Sequence, residues 1–437
     1  MLQRKALQRM QFWRQHATRQ ALLVTGARQV GKTFLIREFA AETYSVVAEF
    51  NLVDNHAARE SFARATSADD LLLRISVASN VQLVPGQTLI FIDEVQECPE
   101  IVTLIKFLVD RGDYDYVLSG SLLGVELEGI RSAPVGYLTE VRMYPLDFEE
   151  FCWSQGLDAP VFETLRQCFD EATPVPDFMH TRLTDLFHTY LLVGGMPDAV
   201  TAYQQGTGID QVRIAQQGIW DFYTSDIGKY APKDRRLVIK DIFSLIPAEL
   251  NSQTRRFKLS SIPDVKRFTQ VADEFLWLTK ANMALAAYNV NAPVAPLLLN
   301  ESHSLFKLFA ADVGLLVSQY PKSASLGLLD GTPTMNFGGT YENFAAQELV
   351  AHGFALRYFT GKRIGEIDFV IEDKQGRITA LELKSGSSYR THAALDALIG
   401  TPGYDVSQAI VLGETNVEHQ GQVTYLPAYM ASLLINN

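Results

Sequence analysis

The residues with the clearest chemical meaning form the run Gly26-Ala27-Arg28-Gln29-Val30-Gly31-Lys32-Thr33. This run matches the phosphate-binding pattern G-x-x-x-x-G-K-[ST] and stands between a predicted buried strand, Ala21 to Thr25, and a predicted helix, Phe34 to Ala41. The two glycines let the backbone approach phosphate groups, so that backbone N–H groups and the helix N-terminus face the anion. Lys32 would reach the β- and γ-phosphates, and the Thr33 hydroxyl would bind Mg²⁺. The run predicts an ATP and Mg²⁺ site; the alternative is an ordinary glycine-rich turn before a helix.

A second group with chemical meaning is the acidic pair Asp93-Glu94, which ends the apolar run Thr88 to Ile92. Such a run predicts a strand buried on both faces, and its C-terminal end is where open parallel sheets bind ligands. Asp93, 60 residues after Thr33, would hold Mg²⁺ directly or through water. Glu94 would act as the general base on the attacking water. The alternative is a solvated strand end.

Two serines follow a further predicted strand, Tyr114 to Leu118. The hydroxyl of Ser119 or Ser121 at this strand end could sense the γ-phosphate of a bound nucleotide. Ser119-Gly120-Ser121 is also typical of an ordinary turn, so both interpretations stay open.

Near the C-terminus, the runs Ile364 to Ile371 and Arg377 to Lys384 predict two strands joined by a hairpin turn. Because side chains alternate along a strand, Glu382 and Lys384 share one face, and pairing with the neighbouring strand can bring Asp368 beside them. The apolar surroundings make such a charged cluster costly unless its members are paired or bind a metal.

This arrangement resembles the PD-(D/E)xK nuclease fold. The resemblance implies that Asp368 and Glu382 are Mg²⁺ ligands and that Lys384 orients or activates water. Glu342, on the predicted helix Tyr341 to His352, would be an auxiliary acid of the same metal site. Hard oxygen ligands suit phosphodiester hydrolysis, since the metal polarises the phosphate and lowers the pKa of bound water. The alternative is a self-neutralising cluster in a nuclease-like domain that has lost activity.

The composition indicates the class of protein that carries these sites. A chain of 437 residues with 47% hydrophobic and 20% charged residues is typical of a globular protein with two to four domains. Three cysteines without metal-ligand spacing indicate a reducing compartment and no disulfide framework. The sequence shows neither a secretory signal nor an apolar run of membrane-spanning length, so we expect a cytoplasmic protein without membrane partners. The net charge of −12 argues against a surface that coats nucleic acid as a whole.

Residues 20–150 resemble the AAA-like ATPase domain of a large prokaryotic family of predicted ATPases. The shared features continue through most of the chain, as the phosphate loop, Ile92-Asp93-Glu94-Val95-Gln96, Ser119-Gly120-Ser121, Tyr144-Pro145-Leu146-Asp147-Phe148-Glu149-Glu150-Phe151, Val193-Gly194-Gly195-Met196-Pro197 and Asp226-Ile227-Gly228-Lys229. Many relatives have a Gly-Arg pair before the Tyr-Pro-Leu segment, where this chain has Ala133-Pro134-Val135-Gly136. If that arginine is the family's transition-state cation, its role here would fall to Arg131, to Arg142 or to no residue of this chain.

The middle of the chain carries an unusual balance of charge. Residues 151–232 lack strand alternation and predict a helical lid or connector, with Gly194-Gly195-Met196-Pro197 as a candidate hinge or a simple helix breaker. Residues 233–300 resemble a small winged-helix module. Ten basic against four acidic residues between Lys229 and Arg267 could follow a phosphate backbone, although a solvated helical face or a surface that meets acidic domains would look the same.

Together these features predict an α/β chain: a P-loop parallel-sheet ATPase domain at 1–150, the helical lid at 151–232, the winged-helix-like segment at 233–300 and a restriction-endonuclease-like α/β domain at 301–437. The first hypothesis is an ATPase whose nucleotide cycle controls the engagement or cutting of DNA. The second is a nucleotide-dependent switch that binds a protein partner or another copy of the chain through an inactive nuclease-like domain. A small-molecule kinase is less consistent with Asp93-Glu94, because a water-activating carboxylate suits hydrolysis.

Overall fold

The computed structural model describes residues 2–16, 20–121, 136–329, 336–386 and 388–436. Arg131 and residues 133–135 lie outside these ranges. The chain divides into two compact units. The first unit contains Gln3–Tyr144 together with Lys280–Asn282, and the second contains Met1–Leu2, Pro145–Thr279 and Met283–Asn437.

The first unit is built on a five-stranded parallel sheet. Its strands are β1 (Ala21–Gly26), β2 (Val46–Asn51), β3 (Thr88–Asp93), β4 (Asp115–Gly120) and β5 (Leu138–Met143), in the spatial order β2-β3-β4-β1-β5. All four neighbouring pairs are parallel. The helices are α1 (Lys5–His16), α2 (Lys32–Thr43), α3 (His56–Ala63), α4 (Ala68–Ala78) and α5 (Pro99–Arg111).

Sequence patterns explain where these elements lie and end. Every residue of β1 and of β3 is buried, as expected for parallel strands covered on both faces. The Ser67 side chain accepts a hydrogen bond from the N–H of Asp70, so the predicted cap begins α4. Pro99 opens α5, and Gly112 ends it in the left-handed conformation at φ 71°. The predicted α/β class is confirmed for this unit.

The second unit begins with helices and continues with two mixed sheets. Its helices are α6 (Phe148–Ser154), α7 (Ala159–Asp170), α8 (Asp177–Val193), α9 (Pro197–Gln204), α10 (Ile209–Tyr230), α11 (Arg236–Leu250), α12 (Ala272–Lys280), α13 (Val313–Ser318), α14 (Lys322–Leu326), α15 (Gly338–Ala351) and α16 (Ala393–Ile399). Its strands are β6 (Ala284–Val290), β7 (Glu301–Ala310), β8 (Arg357–Gly361), β9 (Gly365–Ile367), β10 (Phe369–Glu372), β11 (Ile378–Leu383), β12 (Val406–Gly413), β13 (Glu418–Gln420) and β14 (Val423–Pro427).

The strand order of the second unit connects the middle of the chain with its C-terminal part. One sheet has the order β7-β6-β8-β9 and the other β10-β11-β12-β14-β13. β6 pairs antiparallel with β7 and parallel with β8, so hydrogen bonds cross the boundary that the sequence suggested at residue 300. The four-module division stays a prediction. None of the helices in the described part of the chain has the length and apolarity to span a bilayer.

The Gly194-Gly195 segment lies at a buried junction between α8 and α9. The Gly195 N–H donates to Asp312 Oδ2 at 2.7 Å, and the Leu146 N–H donates to the Gly195 carbonyl at 2.7 Å. A Cβ on Gly195 would lie 2.0 Å from the Leu146 carbonyl oxygen. Burial raises the pKa of Asp312 to about 6, although hydrogen bonds from backbone N–H groups oppose this shift. These contacts make close packing the structural reason for glycine at position 195.

Replacing Gly195 with alanine should therefore destabilise the second unit. The added methyl group meets backbone atoms that cannot rotate away, and overpacking of this kind costs about 1–3 kcal/mol of unfolding free energy or more. Gly218→Ala is the matched control, because a Cβ at this position in α10 meets nothing within 4 Å and alanine favours a helix. Thermal unfolding followed by circular dichroism should show a lower Tm for Gly195→Ala and an equal or higher Tm for Gly218→Ala. Equal Tm values for the two variants would contradict the conclusion that close packing requires glycine at position 195.

Candidate functional site

The phosphate loop connects β1 to α2 in the conformation its glycines require. Gly26 has φ 139°, and a Cβ there would lie 2.2 Å from the Met143 carbonyl oxygen. Gly31 precedes the first turn of α2 in the left-handed conformation at φ 90°. The Val30 side chain is fully buried, and its carbonyl accepts a hydrogen bond from Arg4 Nη1 at 2.9 Å. The loop is thus fixed to the sheet below it, with the N-terminus of α2 behind it.

Lys32 is folded back onto this loop. Its ammonium donates to the carbonyls of Gly26 at 3.1 Å and Ala27 at 2.8 Å. Burial lowers the pKa of Lys32 to about 8, although the charges of Glu94 and Asp93 oppose the shift. The Lys32 ammonium therefore has the acidic pair of β3 as its electrostatic neighbours.

Asp93 is the best connected side chain of the site. It is 2% exposed, and Oδ2 accepts hydrogen bonds from Thr33 Oγ1 at 2.8 Å and Asn51 Nδ2 at 3.3 Å. Oδ1 accepts from Ser119 Oγ and from the Glu94 N–H. Burial raises the pKa of Asp93, while the Ser119 and Thr33 hydrogen bonds oppose this shift. The hydrogen-bond donors to Asp93 in the described part of the chain are neutral, so they orient the carboxylate without cancelling its charge.

Glu94 leaves the strand in an unusual conformation. It is a non-glycine residue in the left-handed region, at φ 54° and ψ 49°, a state that is costly and recurs at functional sites. Its carboxylate accepts hydrogen bonds from Gln96 Nε2 and from Ser121 Oγ, the latter at 3.1 Å. Ser119 and Ser121 therefore contact different acids of the pair.

Sequence reasoning gave no role to two residues of this site, Asn51 and Gln96. Asn51 ends β2 and lies opposite Asp93 in the parallel register, so an amide at the end of the neighbouring strand was the available signal. The Asn51 side chain also accepts from the N–H groups of Val53 and Asp54, which orders the turn after β2. Of the candidate arginines, Arg142 lies on β5 with its side chain 45% exposed and Nε 3.9 Å from Glu140 Oε1.

Asp368, the first of the C-terminal acids, lies between the end of β9 and the start of β10. β10 and β11 form the predicted antiparallel hairpin, with Phe369 opposite Leu381. Asp368 Oδ2 accepts from the Leu383 N–H at 2.8 Å, so the predicted approach of Asp368 to the Glu382–Lys384 segment is present. Lys384 Nζ donates to Glu382 Oε1 at 2.9 Å, whereas Glu382 Oε2 is buried and has no hydrogen-bond partner among the described residues.

Two cations to which the sequence analysis gave no role at the C-terminal site contact its acids. We call Glu342, Glu366, Asp368 and Glu382, with the cations that contact them, the C-terminal cluster. Lys307 of β7 lies 2.9 Å from Glu342 Oε2, and Arg255 contacts Glu342 Oε1. Burial alone would lower the pKa of Lys307, but the charges of Glu342, Asp368 and Glu366 raise it above its ordinary value. Burial and the charges of neighbouring acids raise the pKa of Asp368. Lys307 is the one charged residue in the otherwise apolar run Leu305 to Ala310, a weak signal to which the sequence analysis gave no role.

A further group of potential metal ligands lies in the second unit. Within the described part of the chain, Asp147, Glu348 and His352 are the group of three whose ligand atoms all lie within 4.8 Å of one another. The two carboxylates also have structural contacts: Asp147 caps α6, and Glu348 accepts from the Phe148 N–H at 2.9 Å. Asp147 and His352 are 205 residues apart in the chain, so no local motif announces the group.

Residues 18–152 match a family model described as an AAA domain. The first unit therefore contains an AAA-type P-loop domain. Residues 184–326 and 337–429 match two domains of unknown function, DUF8612 and DUF4143. The predicted AAA-like domain is thus confirmed, while the nuclease-like character of the C-terminal part stays a prediction.

The chain is also similar to several solved structures at low identity. It is 15% identical to the Walker-type ATPase PABY2304 of Pyrococcus abyssi, with a TM-score of 0.42 over 73% of this chain and 95% of that one. It is 13% identical to Cdc6p from Pyrobaculum aerophilum, and 13% identical to the Aeropyrum pernix ORC1 protein solved in complex with DNA. Both of these have a TM-score of 0.27 over 74% of this chain and 93% of theirs. No curated protein sequence matches the chain.

The lowered pKa of Lys32 predicts a pH dependence of nucleotide binding to the AAA-type domain. Phosphates bind the ammonium form, which in the free protein is fully populated well below pH 8 and is lost as the pH rises through about 8. ATP affinity should therefore fall about tenfold between pH 7 and pH 9, since binding then requires proton uptake. Titration with a fluorescent ATP analogue at each pH measures this. The arginine of Lys32→Arg keeps its charge over this range, so the ATP affinity of this variant should not change with pH. If the affinity of both proteins fell equally with pH, Lys32 would not be the group responsible.

Proposed function

We propose that the chain binds and hydrolyses ATP in a Mg²⁺-dependent reaction, and that its nucleotide cycle controls how the C-terminal part engages or cuts DNA. The observation that carries the ATPase part is the convergence of Lys32, Thr33, Asp93 and Glu94 at one end of the parallel sheet. Together these side chains can bind phosphate, bind a metal ion and activate water. Their positions at the C-terminal ends of strands and at a helix N-terminus are those that favour anion and metal ligands.

Thr33 and Asp93 are the residues that would hold Mg²⁺. Their oxygens lie 2.8 Å apart, and the Asp93 carboxylate is buried among neutral donors, so it keeps a negative charge that a hard cation can neutralise. When bound, Mg²⁺ would neutralise charge on the β- and γ-phosphates. Gly26 to Gly31 would surround the phosphates with backbone N–H groups, and Lys32 would exchange its two loop carbonyls for phosphate oxygens.

Glu94 is the proposed general base. Gln96 and Ser121 donate hydrogen bonds to the Glu94 carboxylate. These bonds restrict the orientation in which the carboxylate can accept a proton from water. The Ser121 hydroxyl would sense the γ-phosphate of a bound nucleotide. Because this hydroxyl donates a hydrogen bond to Glu94, any movement of Ser121 would also move the proposed base.

Glu94→Gln should separate binding from turnover. The amide retains the size of the side chain but cannot accept the proton, so ATP hydrolysis should fall by about 100-fold or more while ATP still binds. Glu97→Gln, three residues further on, is the control, because Glu97 pairs with Arg59 and has no proposed part in the reaction. Steady-state phosphate release and equilibrium nucleotide binding provide the two readouts. Wild-type turnover in Glu94→Gln would remove Glu94 as the base.

Asp368, Glu382 and Lys384 are the residues that would carry the proposed DNA cleavage. Helix α15 is followed by the antiparallel pair β8–β9 in one sheet and, in the other sheet, by the antiparallel pair β10–β11 and by β12, which pairs parallel with β11. This order of elements supports the resemblance to PD-(D/E)xK nucleases. Asp368 and Glu382 are the proposed metal ligands, and the unpartnered Glu382 Oε2 supports this role. Lys384 would orient water, and Glu342 would act as the auxiliary acid.

Contact with DNA is proposed for the exposed cations of the middle segment. Lys233, Lys258, Lys266 and Arg267 are exposed to solvent, and cations of this kind bind phosphates without reading sequence. Arg255 and Arg256 do not belong to this set, since they pair with Glu342 and Glu366. The usable positive charge is therefore smaller than the sequence balance indicates.

A second candidate function is a nucleotide-dependent switch that binds a protein partner or another copy of the chain without cutting DNA. The pairing of Lys307 and Arg255 with the C-terminal acids favours this candidate, since cations in contact with the acids can replace a metal ion. A change in partner capture or oligomer size among the nucleotide-free, ADP and ATP states is its expected signature.

Cleavage assays distinguish the two candidates. Linear, branched and single-stranded DNA are incubated with Mg²⁺ or Mn²⁺, with and without ATP, using wild type, Lys32→Ala and Asp368→Asn. An ATP-coupled nuclease should lose cutting in Asp368→Asn and change it in Lys32→Ala, while Asp405→Asn, an exposed acid of the same unit, should cut as wild type. Intact ATP turnover with no cutting of any substrate would favour the switch.

A further inference from the structure

The Lys307 ammonium lies at the centre of three carboxylates. It is 2.9 Å from Glu342 Oε2, 2.9 Å from Glu366 Oε1 and 3.7 Å from Asp368 Oδ1. The Lys307 and Glu342 side chains are both 0% exposed. Three anionic oxygens around one buried point form the environment in which proteins bind a cation, and here the cation is part of the chain.

Arginines occupy the remaining oxygens on this side of the cluster. Arg255 Nη1 contacts Glu342 Oε1 and lies 3.9 Å from Asp368 Oδ1. Arg256 Nε lies 3.1 Å from Glu366 Oε2. Both oxygens of Glu342 are therefore engaged by side-chain cations, and neither is available to a metal ion in this arrangement.

The other side of the cluster differs. Glu382 Oε1 accepts from Lys384, but Oε2 is buried without a hydrogen-bond partner among the described residues. A buried carboxylate oxygen without a donor is costly, and a divalent cation would satisfy it. The cluster is thus closed around Glu342 and open at Glu382.

We propose that the Lys307 ammonium is the resident cation of the Glu342 side of this cluster and excludes a divalent ion from Glu342. A metal ion bound there would have to displace the ammonium and leave it buried without its partners, which is strongly unfavourable. The metal required by the proposed nuclease function, on which this refinement rests, is then confined to Asp368 and Glu382. This replaces the role of auxiliary acid at the metal site that the nuclease resemblance implies for Glu342: Glu342 fixes Lys307 and Arg255 and does not ligate the metal.

The test is a Mn²⁺ titration of the full-length, nucleotide-free chain, followed by electron paramagnetic resonance of free Mn²⁺. All proteins carry Asp93→Ala, so that the nucleotide site does not contribute. The Lys307→Met protein should bind one Mn²⁺ more than its parent, because three acids lose their internal cation. The Lys307→Arg protein is the matched control and should bind the same number as the parent.

A Glu342→Gln protein provides the second arm, which decides the question even if Lys307→Met fails to fold. Its Mn²⁺ affinity should equal that of the parent, whereas Glu382→Gln should lose the binding. Loss of Mn²⁺ in Glu342→Gln to the same extent as in Glu382→Gln would overturn the proposal, as would a folded Lys307→Met protein without the extra ion. A parent that binds no Mn²⁺ beside a Lys307→Met protein that binds one would support the exclusion by Lys307 and refute the metal-dependent nuclease.

Discussion

A carboxylate removed from water must be compensated, and the kind of compensation distinguishes the buried acids of this protein. Asp93 receives hydrogen bonds from Thr33, Asn51 and Ser119, all neutral groups that fix its position but leave its negative charge. Glu342 is held by two fixed cations that cancel its charge. The contacts of Asp93 leave its charge uncompensated by their donors, whereas the charge of Glu342 is compensated by cations of the chain itself.

Asp312 shows a third form of compensation. Its oxygens accept from the backbone N–H groups of Gly195 and Leu315, and no fixed cation is among its hydrogen-bond donors in the described part of the chain. Backbone donors can approach this closely because Gly194 and Gly314 lack side chains; a Cβ on Gly194 would lie 2.2 Å from Asp312 Oδ1. The packing around one buried acid therefore accounts for the two glycines of the Val-Gly-Gly-Met-Pro segment, while its role as a hinge stays a prediction.

The sequence predicted the arrangement of the phosphate loop and Asp93 better than the arrangement of the C-terminal cluster, and the reason is distance along the chain. The phosphate loop is local, so its pattern contains its geometry, and Asp93 follows from an apolar strand of recognisable length. Asn51 required knowledge that β2 lies beside β3. Arg255 and Lys307 required more, since they reach Glu342 across 87 and 35 residues of chain and no local spacing describes such a contact.

The Tyr-Pro-Leu-Asp-Phe-Glu-Glu-Phe segment is a local pattern whose contacts are with residues distant in the chain. Leu146 is fixed by Gly195 and by Tyr190, whose hydroxyl donates to the Leu146 carbonyl at 2.5 Å, and Phe148 packs against the rings of Tyr190, Phe344 and Tyr429. The Glu348 carboxylate accepts from the Phe148 N–H, which joins the start of α6 to α15. A segment that must satisfy a helix cap, a buried carboxylate and an aromatic core at once tolerates few residue types. Its recognisable pattern therefore follows from packing, whereas the patterns at Lys32 and Asp93 are those of the proposed phosphate and metal ligands.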